Sequence, residues 1–164
     1  MPDETKKFYG KYRGTVMNNI DPMQMGRIQA IVPDVLGPIP TSFAMPCLPI
    51  TGKQMGTFML PQIGSGVWIE FEQGNPDYPI WTGCFWAENE VPISPASADK
   101  KVLKTNAGTI TLDDTSGSNS ITIETTNNLK IKMDQQGIEI SNGSQKIMVS
   151  SSSVSINDGA LEIT

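Results

Sequence analysis

The chain has 164 residues, 12 Lys+Arg against 17 Asp+Glu, no histidine and a formal charge of −5. That length accommodates one ordinary domain or two small ones, and the acidic balance argues against nucleic acid, whose binders cluster Lys and Arg on phosphates, as it does against anionic lipid surfaces. The absence of histidine removes imidazole acid–base catalysis, Ser-His triads and most zinc or iron sites, so no cofactor and no metal are expected.

No run of about 18 apolar residues is present. The first residues carry lysines with no apolar stretch behind them, so no secretory signal and assembly in the cytoplasm are expected. Cys47 and Cys84 lie far apart without a CxxC spacing and read as two small buried apolar side chains. Every proline and every aromatic residue falls before Asp99, after which the chain is rich in Ser and Thr. This break predicts a first domain over residues 1–87, a linker over residues 88–98 containing Pro92 and Pro95, and a second domain over residues 99–164.

In chain order, residues 8–16 read as a strand, closed by the turn formers Asn18, Asn19, Asp21 and Pro22. Residues 27–32 form a second strand stopped by Pro33, and residues 33–42, with three prolines and a glycine, read as a loop. Residues 44–49 are expected to be extended. In residues 67–72 the alternation places Val67, Ile69 and Phe71 on one face and Trp68, Glu70 and Glu72 on the other. A turn at Gly74-Asn75-Pro76-Asp77 leads into a strand over residues 80–86. Five or so short strands without a helix predict a small barrel of OB or SH3-like type.

Within this half, Tyr12-Arg-Gly-Thr-Val-Met-Asn-Asn-Ile-Asp-Pro22 followed by Met25-Gly-Arg-Ile-Gln-Ala-Ile-Val-Pro33 resembles the opening of the baseplate-spike OB domain shared by phage baseplate assembly protein V and the VgrG spikes of type VI secretion. Gly56-Thr-Phe-Met-Leu-Pro61 and residues 64–83 resemble that domain's second signature, with Gly74-Asn75 where Gly-Asp is usual. The resemblance covers roughly residues 9–86. It singles out Asp21, Pro22, Gly26, Arg27, Pro33, Pro61, Gly64, Gly74, Asn75, Pro79 and Gly83. Read on their own chemistry, most of these hold a barrel together: glycines permit close approach, Asp21 and Pro22 set a turn, and Arg27 pairs with a local carboxylate or carbonyl.

From Gly108 onward apolar residues alternate in short groups. They are Ile110 and Leu112; Ile121 and Ile123; Leu129, Ile131 and Met133; Ile138 and Ile140; Ile147 and Val149; Val154 and Ile156; Leu161 and Ile163. Turn formers separate them, including Asn142-Gly143, the serines at 150–153, and Asn157-Asp158-Gly159. The pattern predicts seven short strands, each with one apolar face. A single chain has little to cover such a face, and the alternative, a one-chain solenoid of about three turns, would need caps, whereas three copies wound together close it and remove the free edges. The resemblance implies the same: spikes of this kind follow the OB domain with an intertwined triple-stranded β-helix. The expected fold is therefore all-β, an OB barrel followed by an intertwined trimeric β-helix.

The resemblance further implies a mechanical role without bond-breaking chemistry: the central, cell-puncturing spike of a phage-tail-like contractile injection system. Its expected partners are two further copies of itself, tube, hub and baseplate proteins at the OB end, and a PAAR-type tip cap on Asn157, Asp158, Gly159, Ala160, Leu161, Glu162, Ile163 and Thr164. The target membrane is pierced in passing. No nucleic acid is expected. The alternative is an OB module that stacks single-stranded nucleic acid or oligosaccharide on Trp68, Trp81 and Trp86. A hydrolase reading rests on Asp113 and Asp114, but adjacent carboxylates in a strand point to opposite faces.

Overall fold

The structure, a computed structural model, describes residues 6–164. It contains two compact units, which divide after Glu90, and each is built almost wholly of strands.

The first unit contains β1 (Tyr12–Asn18), β2 (Gln29–Ile31), one helical turn α1 (Pro33–Leu36), β3 (Met45–Pro46), the small hairpin β4 (Thr51–Gly52) and β5 (Met55–Gly56), β6 (Gly66–Phe71) and β7 (Pro79–Phe85). Its sheet runs β2-β1-β6-β7-β3, with β3 parallel to β7 and the other pairs antiparallel. Ile28 and Ala44 exchange backbone hydrogen bonds of 3.3 and 2.7 Å, and the Thr41 N–H donates to Ala30 O at 2.9 Å. These bonds join the β3 side back to the β2 side and close the barrel, leaving no long free edge. Val16, Ile28, Ala30, Val32, Ala44, Val67, Ile69, Phe71 and Trp81 fill it. Gly14 faces the same interior. A Cβ there would lie 3.2 Å from both Ile31 O and Ile69 Cγ1, so a larger residue would have to push its neighbours back by a few tenths of an ångström.

Three expectations change here. Phe8 lies outside β1; its N–H donates to Gly74 O at 2.9 Å and its ring packs 6.2 Å from Tyr12. The stretch after Val32 holds the turn of helix α1, because a proline at the first helical position has no N–H to lose. Cys47 and Cys84 are exposed, not buried. Cys47 follows the two-residue end strand β3, while Cys84 lies past the irregularity opposite Trp68 and Ile69, beyond Trp81, the last residue of β7 in the core.

The second unit is one sheet of β8 (Lys100–Lys104), β9 (Gly108–Asp113), β10 (Ser120–Thr125), β11 (Lys130–Asp134), β12 (Gly137–Ser141), β13 (Lys146–Val149), β14 (Val154–Ile156) and β15 (Leu161–Ile163). The spatial order follows the sequence, and every pair is antiparallel. At about 4.8 Å between strands, the sheet rises roughly 34 Å from β8 to β15. The turns are made by the polar residues between the apolar groups. Asn142 Oδ1 accepts the N–H groups of Ser144 (3.1 Å) and Gln145 (2.8 Å). Ser150 Oγ accepts those of Ser152 (3.3 Å) and Ser153 (3.0 Å), so the serine run is a hydrogen-bonded corner. Strand β8 exceeds the seven expected: Lys-Lys-Val-Leu-Lys lacks the apolar alternation of the others, yet it pairs with β9 along its whole length.

Candidate functional site

The cross-strand register lines up the apolar side chains. Leu103, Ile110, Ile123, Ile131, Ile140, Ile147, Ile156 and Leu161 stand opposite one another from strand to strand. A second row runs Lys101, Leu112, Ile121, Met133, Ile138, Val149, Val154 and Ile163. Directly opposed residues share a face, so both rows lie on one side of the sheet. Fourteen of the fifteen residues expected in a trimer core occur in these two rows. The fifteenth, Leu129, precedes β11 and shares the face of Ile131 by alternation. Sequence reasoning missed Leu103, whose lysine neighbours hide the pattern.

This face is open. Exposure runs from 36 % at Met133 to 62 % at Ile163, with Val154 and Ile156 partly covered. Along β11 and β12 the ordinary order is inverted: the polar residues are more covered than the apolar ones between them. A hollow of about 540 Å³ has Ile123, Leu129, Ile131, Ile140 and Ile147 on its floor. Isolated exposed apolar residues are ordinary, but a continuous double row marks an interaction surface.

The opposite face carries ion pairs. Lys130 meets Glu139 at 2.7 Å, Lys132 meets Asp134 at 2.7 Å, Lys146 meets Asp158 at 2.5 Å and Lys100 meets Asp113 at 3.5 Å. Hydrogen bonding from Lys130 lowers the Glu139 carboxyl and hydrogen bonding from Lys132 lowers that of Asp134, while Asp134 and Asp158 raise the ammonium groups of Lys132 and Lys146. Asp113 is lowered chiefly by the Thr115 hydroxyl and N–H. Its neighbour Asp114 pairs instead with Lys101, on the apolar side. The two carboxylates thus diverge as the alternation requires.

In the barrel the signature residues act as internal ties. The Asp21 carboxylate accepts the N–H groups of Met23 (3.0 Å), Met25 (2.8 Å) and Arg27 (3.3 Å), and Arg27 Nη2 donates to it at 2.7 Å. The Arg27 guanidinium and these amides hold Asp21 far below the usual carboxylate range. Pro22 continues the same turn, in which the Gln24 N–H donates to Asp21 O at 3.0 Å. Gly26 O accepts the indole N–H of Trp81 at 3.1 Å. Pro33 begins α1, and Pro61 O accepts from Asn19 Nδ2 at 2.9 Å. The Gly64 N–H donates to Val16 O at 2.9 Å. Asn75 Oδ1 accepts the Asp77 N–H at 3.1 Å, one step after Gly74, whose carbonyl holds Phe8. Pro79 opens β7 opposite Phe71, and Gly83, at φ 147°, sits at the irregularity of that strand. Of the three tryptophans, Trp81 is buried, Trp68 packs 5.0 Å from Phe85 with the rings tilted by 52° and Arg13 over its ring, and Trp86 is exposed.

Residues 157–164 form the turn and the second strand of the last hairpin, β14–β15. Asn157, Asp158 and Gly159 all have positive φ, at 49°, 56° and 95°. Asn157 Oδ1 accepts the Lys146 N–H at 2.9 Å, tying the turn to β13, and Ala160 leads into β15. Leu161, Glu162 and Ile163 make up β15, whose outer edge is unpaired within this sheet, and Thr164 follows it. Among the described residues, no acidic, histidine and cysteine cluster suited to a metal ion is present, and no helix is long and apolar enough to cross a membrane.

Residues 12–86 match the family of type VI secretion system/phage-baseplate injector OB domains. Residues 100–162 match the family of phage baseplate V C-terminal trimerisation domains. The type VI secretion system spike protein VgrG5 of Pseudomonas aeruginosa is 38 % identical over 58 residues, 34 % of this chain and 7 % of its own length. The spike protein VgrG1b of the same organism is 32 % identical over 94 residues, 51 % of this chain and 13 % of its own. The chain thus spans only a small fraction of the length of these relatives.

Proposed function

This chain belongs to the phage baseplate V family of injector proteins, with an injector OB domain followed by a trimerisation domain, and from that premise we propose that it forms the homotrimeric central spike of a phage-tail-like contractile injection system. The open double row of apolar side chains carries this reading. Three such sheets, turned face to face about a common axis, bury six rows in a close-packed prism. Because each strand pairs with its sequence neighbours, side chains hold the copies together in this arrangement.

In this reading the prism is a needle that concentrates the thrust of a contracting sheath on a small area of envelope, and no covalent step is involved. The barrel seats the needle on tube and hub. An apolar patch for that seat is offered by exposed Met25, next to Gly26, and exposed Phe58, whose ring lies 3.3 Å from where a Cβ on Gly26 would stand. The last hairpin, with the outward edge of β15, would receive a tip cap. Whether the particle stays inside a cell or is released, the spike travels as part of it.

Light scattering on a size-exclusion column tests the oligomer: the full chain is expected at three times its monomer mass in both low and high salt, and a monomer at micromolar concentration defeats the proposal. The oligonucleotide-binding alternative is disfavoured by the burial of Trp81 and by the packing of Phe85 and Arg13 against Trp68, which leaves Trp86 as the one exposed tryptophan. Absence of fluorescence quenching by oligonucleotides at low salt is the expected outcome.

A further inference from the structure

The two apolar rows have one charged member. Lys101 stands opposite Leu112, at the β8 end of the second row, and pairs with Asp114, which continues β9 beyond Leu112 on the same side of the sheet. Every other position in both rows is apolar.

We propose that the Lys101–Asp114 pair sets the orientation and axial register in which copies of this chain assemble; this rests on the trimer reading above. The rows themselves discriminate poorly. One is almost all isoleucine, so a copy inserted upside down, or slipped by a hairpin, still sets apolar against apolar. The pair ends that degeneracy because it lies at one end only. With three copies parallel and in register, three Lys101–Asp114 pairs meet at one level, where their charges alternate around the axis. In an inverted copy the pair faces Leu161 and Ile163 of its neighbours, and in a slipped copy it faces the isoleucines of β10. The slipped copy puts two charges into a dry apolar wall, at a desolvation cost that their mutual attraction does not fully offset, and the inverted copy gives up the ring of alternating charges that the parallel arrangement forms. A single polar position that fixes register in an apolar seam works on the same physics.

The test uses the full chain with Cys47→Ser and Cys84→Ser, since both thiols are exposed. One version then carries Ile110→Cys, near the β8 end of the first row, and a differently tagged version carries Leu161→Cys, near the β15 end. The two are co-expressed and treated with a bismaleimide of about 10 Å reach, matched to the spacing of packed sheets. With Lys101 and Asp114 intact, only like-to-like products are expected. With Lys101→Leu and Asp114→Leu, the trimer is expected to persist while the mixed 110–161 product rises about tenfold, as loss of the charge ring that favours the parallel arrangement implies. The charge swap Lys101→Glu with Asp114→Lys restores polarity at the same level and is expected to return products to like-to-like, whatever the solubility of the leucine pair. An unchanged product pattern in the leucine pair, or scrambling in the swap, overturns the inference while leaving the trimer intact. A monomer without cross-links overturns the trimer reading itself and the inference with it.

Discussion

Asp21 and Arg27 show how a family motif acts through elementary chemistry. The carboxylate gathers three backbone N–H groups and a guanidinium, so the loop from Asp21 to Arg27 is organised around one buried charge. Its folded-state pKa is depressed, so its stabilisation is present above the unfolded value of about 3.9 and is lost as pH falls below that. Thermal melts followed by tryptophan fluorescence are expected to show the barrel weakening below about pH 4; Asp21→Asn is expected to lower the melting temperature at pH 7 and to flatten that acid limb. Trp81→Phe removes the indole donor and leaves the Gly26 carbonyl without this partner, which is expected to cost about 1–3 kcal/mol in chemical denaturation.

At the level of elements, the period-2 alternation made most strands legible, because half-buried strands must alternate. Val67, Ile69 and Phe71 face inward as the pattern requires. Strand β8 was hidden because its surroundings, not its composition, make it a strand: β9 supplies a complete ladder to a lysine-rich segment. The register that gathers the rows was also beyond the pattern, which marks a face in each strand but not which residues stand opposite. Turn geometry fixes it. At Gly137 φ is 142°, and a Cβ would fall 2.0 Å from Val149 O, so Gly137→Ala is expected to destabilise the second unit by about 1–3 kcal/mol, measured by denaturant titration. The ion pairs of the polar face contribute more modestly, because exposed pairs are screened. The lowered carboxyls of Asp134 and Glu139 lend stability that fades in acid, and the raised ammonium groups of Lys132 and Lys146 lend stability that fades in alkali.

For the whole molecule, the proposed assembly depends on one side of one sheet. Ile138→Asp places a charge among the rows and is expected to raise the concentration at which the trimer dissociates by at least about a thousandfold, read by light scattering on dilution. Thr111→Asp, on the polar side opposite Val102 and Thr122, is expected to leave the trimer mass unchanged. A meander in which each strand is bonded only to the strand before and the strand after has a further, directional property. Thrust along the stack presses all its rungs together at once, whereas tension on β15 opens a single rung, then the next. A needle built this way would enter stiff, yet on withdrawal it would be free to unzip from its far end at little force.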